Sequence, residues 1–238
     1  MVRTRLTMLT RGNGMRIEPV FIFDLDGTLV DSVYQHVLAW KEALDAEGID
    51  LSVWRIHRKI GMSGGLFTNQ LLRETELEIS TERVERIRAA HAGAYRKYAS
   101  QIRPLPGARE LLAWLTEAEI PWAIATSGRM ETAKVNIEAL GVDPSMAVVV
   151  TRDQVKYAKP DPDLFVEAAR RLDKPIETSV IVGDSVWDML AATRCRALGV
   201  GLLSGGYGVD ELRQSGAIRV YEDPSELLDH IDEVGGRR

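Results

Sequence analysis

A chain of 238 residues that is 45% hydrophobic and 27% charged can bury an ordinary globular core, which excludes a disordered chain. Its single cysteine, Cys195, excludes a disulfide framework and a cysteine-based zinc cluster. A formal net charge of −5 argues against backbone-driven nucleic-acid binding, and no apolar run approaches the roughly 20 residues of a membrane span.

Residues 1–16 read as a tail, either disordered or an extension, with Met15 a second candidate start. The tail carries Arg3, Arg5, Arg11 and Arg16 but lacks the apolar stretch of a signal peptide, so the cytoplasm is the default location. Val20–Phe23 is a buried-strand run. Val33, Val37, Trp40 and Leu44 share one face of a helix over 32–47 that Gly48 suits as a stop. Val84, Ile87, His91, Tyr95 and Tyr98 form the stripe of a second helix over 81–98, after which Pro104 and Pro106 break the chain.

From there helices are predicted over 108–118, 129–140, 162–172, 186–197 and 225–234, and strands over 122–125, 147–150, 180–182, 199–202 and 217–221. Alternating βα units imply an α/β fold, a Rossmann-like doubly wound parallel sheet with helices on both faces. Only one strand precedes Ser32, and no good strand run lies between it and Arg103. Residues 17–31 and 104–238 therefore read as one core and 32–103 as an all-helical insertion, with the crossings near Val30–Asp31 and Ile102–Pro106 as hinges.

Chemistry is expected at the carboxyl ends of the strands. The first strand runs into Asp24-Leu25-Asp26-Gly27-Thr28, and residues two apart on a strand point the same way. Two carboxylates about 4 Å apart repel by on the order of 4 kcal/mol at an effective dielectric of about 20. A hard cation, a lysine or a proton must offset that. The next strand ends in Thr126-Ser127-Gly128 before a helix, which is either a plain cap or an anion cup. Lys159 precedes another helix start, and Gly183-Asp184 is followed one helical turn later by Asp188. Each feature has a bland explanation alone; together they describe a site for a metal cation and a phosphate group.

In order and spacing, Asp24-Leu25-Asp26-Gly27-Thr28, Thr126, Lys159-Pro160 and Gly183-Asp184 with Asp188 resemble the four motifs of the haloacid dehalogenase superfamily of aspartyl-nucleophile phosphotransferases. The helical insertion is similar to the small cap of the phosphoglycolate-phosphatase and β-phosphoglucomutase branch. The resemblance implies Asp24 as nucleophile and Asp26 as general acid, then base. It also implies Mg²⁺ held by Asp24, Asp184 and the main-chain carbonyl of Asp26, with Thr126, Ser127 and Lys159 on the phosphoryl oxygens. Asp188 falls outside the metal, orienting a water or Lys159. An acid at Asp26 favours a phosphate ester over a carbon–halogen or carbon–phosphorus bond.

His36, Trp40 and Lys41 are similar to a His, Trp and Lys in the mutase cap, where that His couples cap closure to the acid/base. His91 stands where the mutase has a specificity Lys, and Gly64 follows Ser63 where it has an Arg. Both departures favour hydrolysis over a phosphomutase. The basic run Arg55-Ile56-His57-Arg58-Lys59, next to Ser63-Gly64-Gly65, is either a solvated helix face or a contact for an anionic substrate group, so Arg58, Lys59, Ser63 and Gly64 are candidate cap contacts. The expected partner is a small phosphorylated metabolite, with no nucleic acid or membrane, in a monomer or homodimer. The non-enzyme alternative is a receiver-like signalling domain, which also uses an Asp-rich metal pocket but has no need of a leaving-group acid.

Overall fold

The computed structural model describes residues 19–62, 67 and 80–236. The expected tail and the candidates Ser63 and Gly64 lie outside these residues.

Strand β1 (Val20–Phe23) is buried on both sides, Phe21 and Phe23 entering one apolar cluster and Val20 and Ile22 the other. It pairs in parallel with β4 (Trp122–Ala125) on one side and β6 (Ser179–Gly183) on the other. The sheet is completed by β5 (Val148–Val150), β7 (Leu198–Leu202) and β8 (Ala217–Tyr221), in the order β5-β4-β1-β6-β7-β8. All five neighbouring pairs are parallel. Helices α4 (Ala108–Glu117) and α5 (Met130–Leu140) bury Leu111, Leu112, Leu115, Ile137 and Leu140 in the cluster that holds Phe21 and Phe23. Helices α6 (Asp163–Arg171) and α7 (Val186–Arg194) bury Leu164, Phe165, Ala191 and Ala192 in the opposite one. The chain winds outward from β1 through β4 to β5, then returns to β6 beside β1. The crevice for a ligand thus opens at the carboxyl ends of β1, β4 and β6.

Between β1 and β4 the chain departs into helices α1 (Val33–Ala46), α2 (Val53–His57) and α3 (Thr81–Arg96). They share an apolar cluster built on Val37, Trp40, Leu44, Ile56 and Ile87. The chain leaves through β2 (Val30–Asp31) and comes back through β3 (Arg103–Pro104). These two-residue strands pair antiparallel, Val30 with Pro104 and Asp31 with Arg103, so exit and return lie side by side. Neither strand was predicted: two residues carry no alternation to read.

Other departures from the sequence reading have local causes. Helix α2, five residues long, and α8 (Val209–Gln214), six, are too short to show a period. Helix α7 stops at Arg194 rather than 197, because Cys195 forms its C-cap and Arg196 takes a left-handed φ of 61°. Cys195 is half-buried and donates Sγ–H to Ala191 O at 3.2 Å. The last helix, α9 (Pro224–Asp229), starts on Asp223, whose carboxylate accepts from the backbone N–H of Ser225 and Glu226 at 2.8 and 3.1 Å. It ends at His230, and Ile231–Val234 continues as a 3₁₀ turn.

Candidate active site

Four strand ends converge on one point. Asp24 follows β1, Thr126 follows β4, Asp184 follows β6, and Lys159 comes from the connection between β5 and α6. Lys159 is fully buried, with its ammonium 2.5 Å from Asp24 Oδ1 and 2.8 Å from Asp188 Oδ1. Asp188 sits in the first turn of α7, where its Oδ2 accepts from Ser185 N–H and Oγ–H at 3.1 and 2.5 Å. Its two oxygens thereby fix both the helix start and the ammonium.

Carboxylate oxygens of Asp24, Asp184 and Asp188 lie within 4.8 Å of one another, all buried. One ammonium faces these three acids. Burial, partly opposed by Lys159 and reinforced by the charges of Asp188 and Asp26, pushes the Asp24 carboxyl up to about 7. Burial and the charges of Asp188 and Asp24 hold Asp184 well above the usual carboxylate range. Burial opposes the charge on Lys159, but Asp188 and Asp24 outweigh it and raise its pKa. The surplus negative charge and all-oxygen donor set fit a hard divalent cation.

The backbone around Asp184 is shaped for the same purpose. Thr28 Oγ1–H donates to Asp184 Oδ1 at 3.0 Å, and a Cβ at Gly205 would overlap that carboxylate. Gly27, at φ 78°, also brings its backbone close: a Cβ there would lie 2.6 Å from Asp184 Oδ2. Its carbonyl accepts from Ser204 Oγ–H at 2.6 Å.

Folded Asp24 holds its proton up to about 7, against 3.8 for the free group, so the native state binds more protons than the unfolded chain between those values. In chelator, wild type is expected to lose stability relative to Asp24→Asn as pH rises through that window, and to level off above it. Urea unfolding of both proteins at about pH 4.5 and about pH 8 reads this difference, and a difference that does not change with pH contradicts it.

Asp26 lies apart from the ammonium. Its Oδ1 accepts from Ser32 Oγ–H at 2.6 Å, from His36 Nε2 at 3.2 Å and from Asn136 Nδ2. Burial opposes ionisation, but the charge and hydrogen bond of His36 and the bond from Ser32 outweigh it, so the Asp26 carboxyl titrates below the usual value. Asp26 and Asp24 both line a cavity of about 450 Å³, together with His36, Trp40, Lys59 and Thr126. That volume suits a small molecule.

Thr126 and Ser127, read as either a plain cap or an anion cup, lie in the same wall. Thr126 is buried and its Oγ1 accepts from Gly128 N–H at 3.0 Å. Ser127 also lines the cavity, and its Oγ is buried with no hydrogen-bond partner among the described residues. The basic run of α2 is divided. Lys59 is buried and lines the cavity, whereas Arg58 pairs with Glu211 and stacks over Tyr207, 4.1 Å from the ring centroid. Arg58 is thus a contact to the core rather than to a ligand, and His57 joins it there through Gly205 O at 2.8 Å. Lys41, grouped with His36 and Trp40 by resemblance, is tied on the surface to Asp45 and Asp50.

The sequence reading gave no role to Ser32, Thr28, Asn136 or Gly205. Asn136 carried a legible signal: it is a polar residue beside the apolar stripe of Ala133, Ile137 and Leu140 on α5, and it is fully buried. His91, which stands where the mutase has a specificity Lys, is buried, lines the cavity and lies 3.1 Å from His36 Nδ1 through its Nε2.

Comparison with known proteins places this arrangement. The model of the haloacid dehalogenase-like hydrolase family matches residues 19–196. Hexitol phosphatase A of Escherichia coli K12 is 34% identical over 186 residues, covering 76% of this chain and 82% of its own. Phosphoglycolate phosphatase of Agrobacterium fabrum C58 is 26% identical over 191 residues, covering 79% and 82%. The crystal structure of a hydrolase from Pseudomonas syringae superposes with a TM-score of 0.90 at 58% identity, over 91% of this chain and 99% of that one. No helix among the described residues is long and apolar enough to cross a membrane. With four strand ends gathering three carboxylates and a lysine, and with this likeness along the chain, the protein belongs to the haloacid dehalogenase-like hydrolase family and is a phosphatase enzyme.

Proposed function

We propose that the protein is a Mg²⁺-dependent hydrolase of a small phosphate monoester, working through an aspartyl-phosphate on Asp24. The carrying observation is the buried Lys159–Asp24 pair beside Asp184 and Asp188, opening onto a cavity that also holds Asp26. The names of the relatives, a hexitol phosphatase and a phosphoglycolate phosphatase, support a small organic phosphate as substrate.

Asp24, Asp184 and the main-chain carbonyl of Asp26 would hold the metal, which when bound neutralises phosphoryl oxygens and draws the phosphate to the nucleophile. Lys159 and Thr126 hold the remaining phosphoryl oxygens, with Ser127 Oγ as a further donor in the wall. Asp24 attacks phosphorus, the phosphorus–ester oxygen bond breaks, and Asp26, ionised in the free protein and brought to its protonated form by the negative charge of the bound phosphate, gives its proton to the departing alkoxide. Water then attacks the aspartyl-phosphate, Asp26 takes the water's proton, and phosphate leaves with Asp24 restored. Asp188 does its part by holding Lys159 in place. Positioning and charge neutralisation are what phosphoryl transfer chiefly needs.

Helices α1, α2 and α3 act as a cap over this site, with Lys59 as the cationic contribution to substrate binding. Purified protein is expected to release phosphate from a panel of hexitol, hexose, pentose and glycolate phosphates with Mg²⁺, and to stop in EDTA. Turnover undiminished by the chelator contradicts the reading.

A further inference from the structure

The two oxygens of Asp26 are treated unequally. Oδ1 collects Ser32 Oγ, His36 Nε2 and Asn136 Nδ2, whereas no described residue is found donating to Oδ2. The Asp26 side chain is 13% exposed and lines the cavity, and Oδ2 is the oxygen left without a described donor.

Asn136 is the donor that comes from the core sheet's own helix, α5, rather than from the segment around α1. A carboxylate accepts only, which obliges Asn136 to present Nδ2 to Asp26 and to turn its own carbonyl the other way. That carbonyl accepts from Tyr95 Oη–H at 2.7 Å. Tyr95 lies on α3, fully buried, and its ring stacks on His36 with centroids 3.8 Å apart and planes 3° apart. One tyrosine from the helical segment therefore governs two of the three donors on Oδ1: it orients the amide and backs the imidazole. An amide at 0% exposure with both ends hydrogen-bonded, one to the acid and one to Tyr95, is more than this apolar stripe needs for packing.

We propose that Asn136, oriented by Tyr95, is a positioning residue for Asp26 that fixes Oδ1 and leaves Oδ2 as the oxygen through which the proton passes. This rests on the phosphatase reading above. In the first half-reaction the proton moves from Oδ2 to the ester oxygen as the phosphorus–oxygen bond breaks. In the second it returns from water to Oδ2 as the aspartyl-phosphate is hydrolysed. Oδ1 keeps its three donors throughout, so the carboxylate formed in between is already solvated by fixed groups.

The test uses leaving-group dependence, which a purely structural role does not move. An alkoxide needs a proton to leave, whereas p-nitrophenolate does not. Single-turnover release by excess enzyme with Mg²⁺ is measured for an alkyl phosphate and for p-nitrophenyl phosphate. Asn136→Ala is expected to lose about 100-fold on the alkyl ester and no more than about 10-fold on the aryl ester. Tyr95→Phe, which keeps the stacking ring, is expected to show the same selectivity with a smaller loss. Equal losses on both esters, or none on the alkyl ester, overturn the proposal; if Asn136→Ala does not fold by thermal melt, Tyr95→Phe decides by the same criterion. A wild type that hydrolyses neither ester overturns the phosphatase reading together with this one, whereas an active wild type with unselective variants overturns this one alone.

Discussion

Asp24→Asn is expected to lower turnover by on the order of 10⁴-fold or more while leaving the fold intact, because the proposed mechanism makes Asp24 the nucleophile and the amide removes that covalent route. The amide is nearly the shape of the carboxylate and sits at the end of a strand buried on both faces, so packing is unchanged. Electrostatics even favour the substitution in metal-free protein, since Asp24 is one of three buried acids facing one ammonium. Loss of activity with retained or raised stability in chelator is the expected signature. Circular dichroism, urea unfolding and phosphate release on the same preparation check it.

Lys159→Met carries the opposite signature. The ammonium is fully buried between Asp24 and Asp188, so an apolar replacement leaves its partners as uncompensated charges. Breaking a buried pair from one side destabilises by about 3–5 kcal/mol. Chelated Lys159→Met should unfold at markedly lower urea than wild type, and Mg²⁺ should narrow the gap because it adds positive charge to the same cluster. Turnover should fall about 100- to 1,000-fold, the usual effect of losing one donor to a developing negative charge. A variant that unfolds like wild type in chelator would show that Lys159 does not neutralise this cluster.

What could be read from the sequence follows the range of the interactions. Val20–Phe23 and Trp122–Ala125 were found to the residue, because continuous apolar runs bounded by turn residues have few other uses in a parallel sheet. Asp24, Thr126, Lys159 and Asp184 were legible because their order along the chain mirrors the order in which strand ends reach the crevice. Contacts across the chain were not. Asn136 reaches Asp26 over 110 residues and Arg58 reaches Glu211 over 153, and neither pairing leaves a local period. Arg58 shows the difference well: its charge marked it as a binding candidate, but its partner, supplied by α8, lies in the core. Gly205 was invisible for a related reason, since its lack of a side chain matters only once Asp184 is folded against it.

The covalent step on Asp24 is the claim on which the rest depends, and trapping it is the most direct measurement. Wild type mixed with substrate and Mg²⁺, acid-quenched on the millisecond scale and reduced with borohydride, converts an aspartyl-phosphate to homoserine. Mass spectrometry of the peptide spanning residues 17–31 should then show that conversion at Asp24, transient in time and absent in Asp24→Asn. Sustained phosphate release with no modification at Asp24 at any quench time would contradict the account.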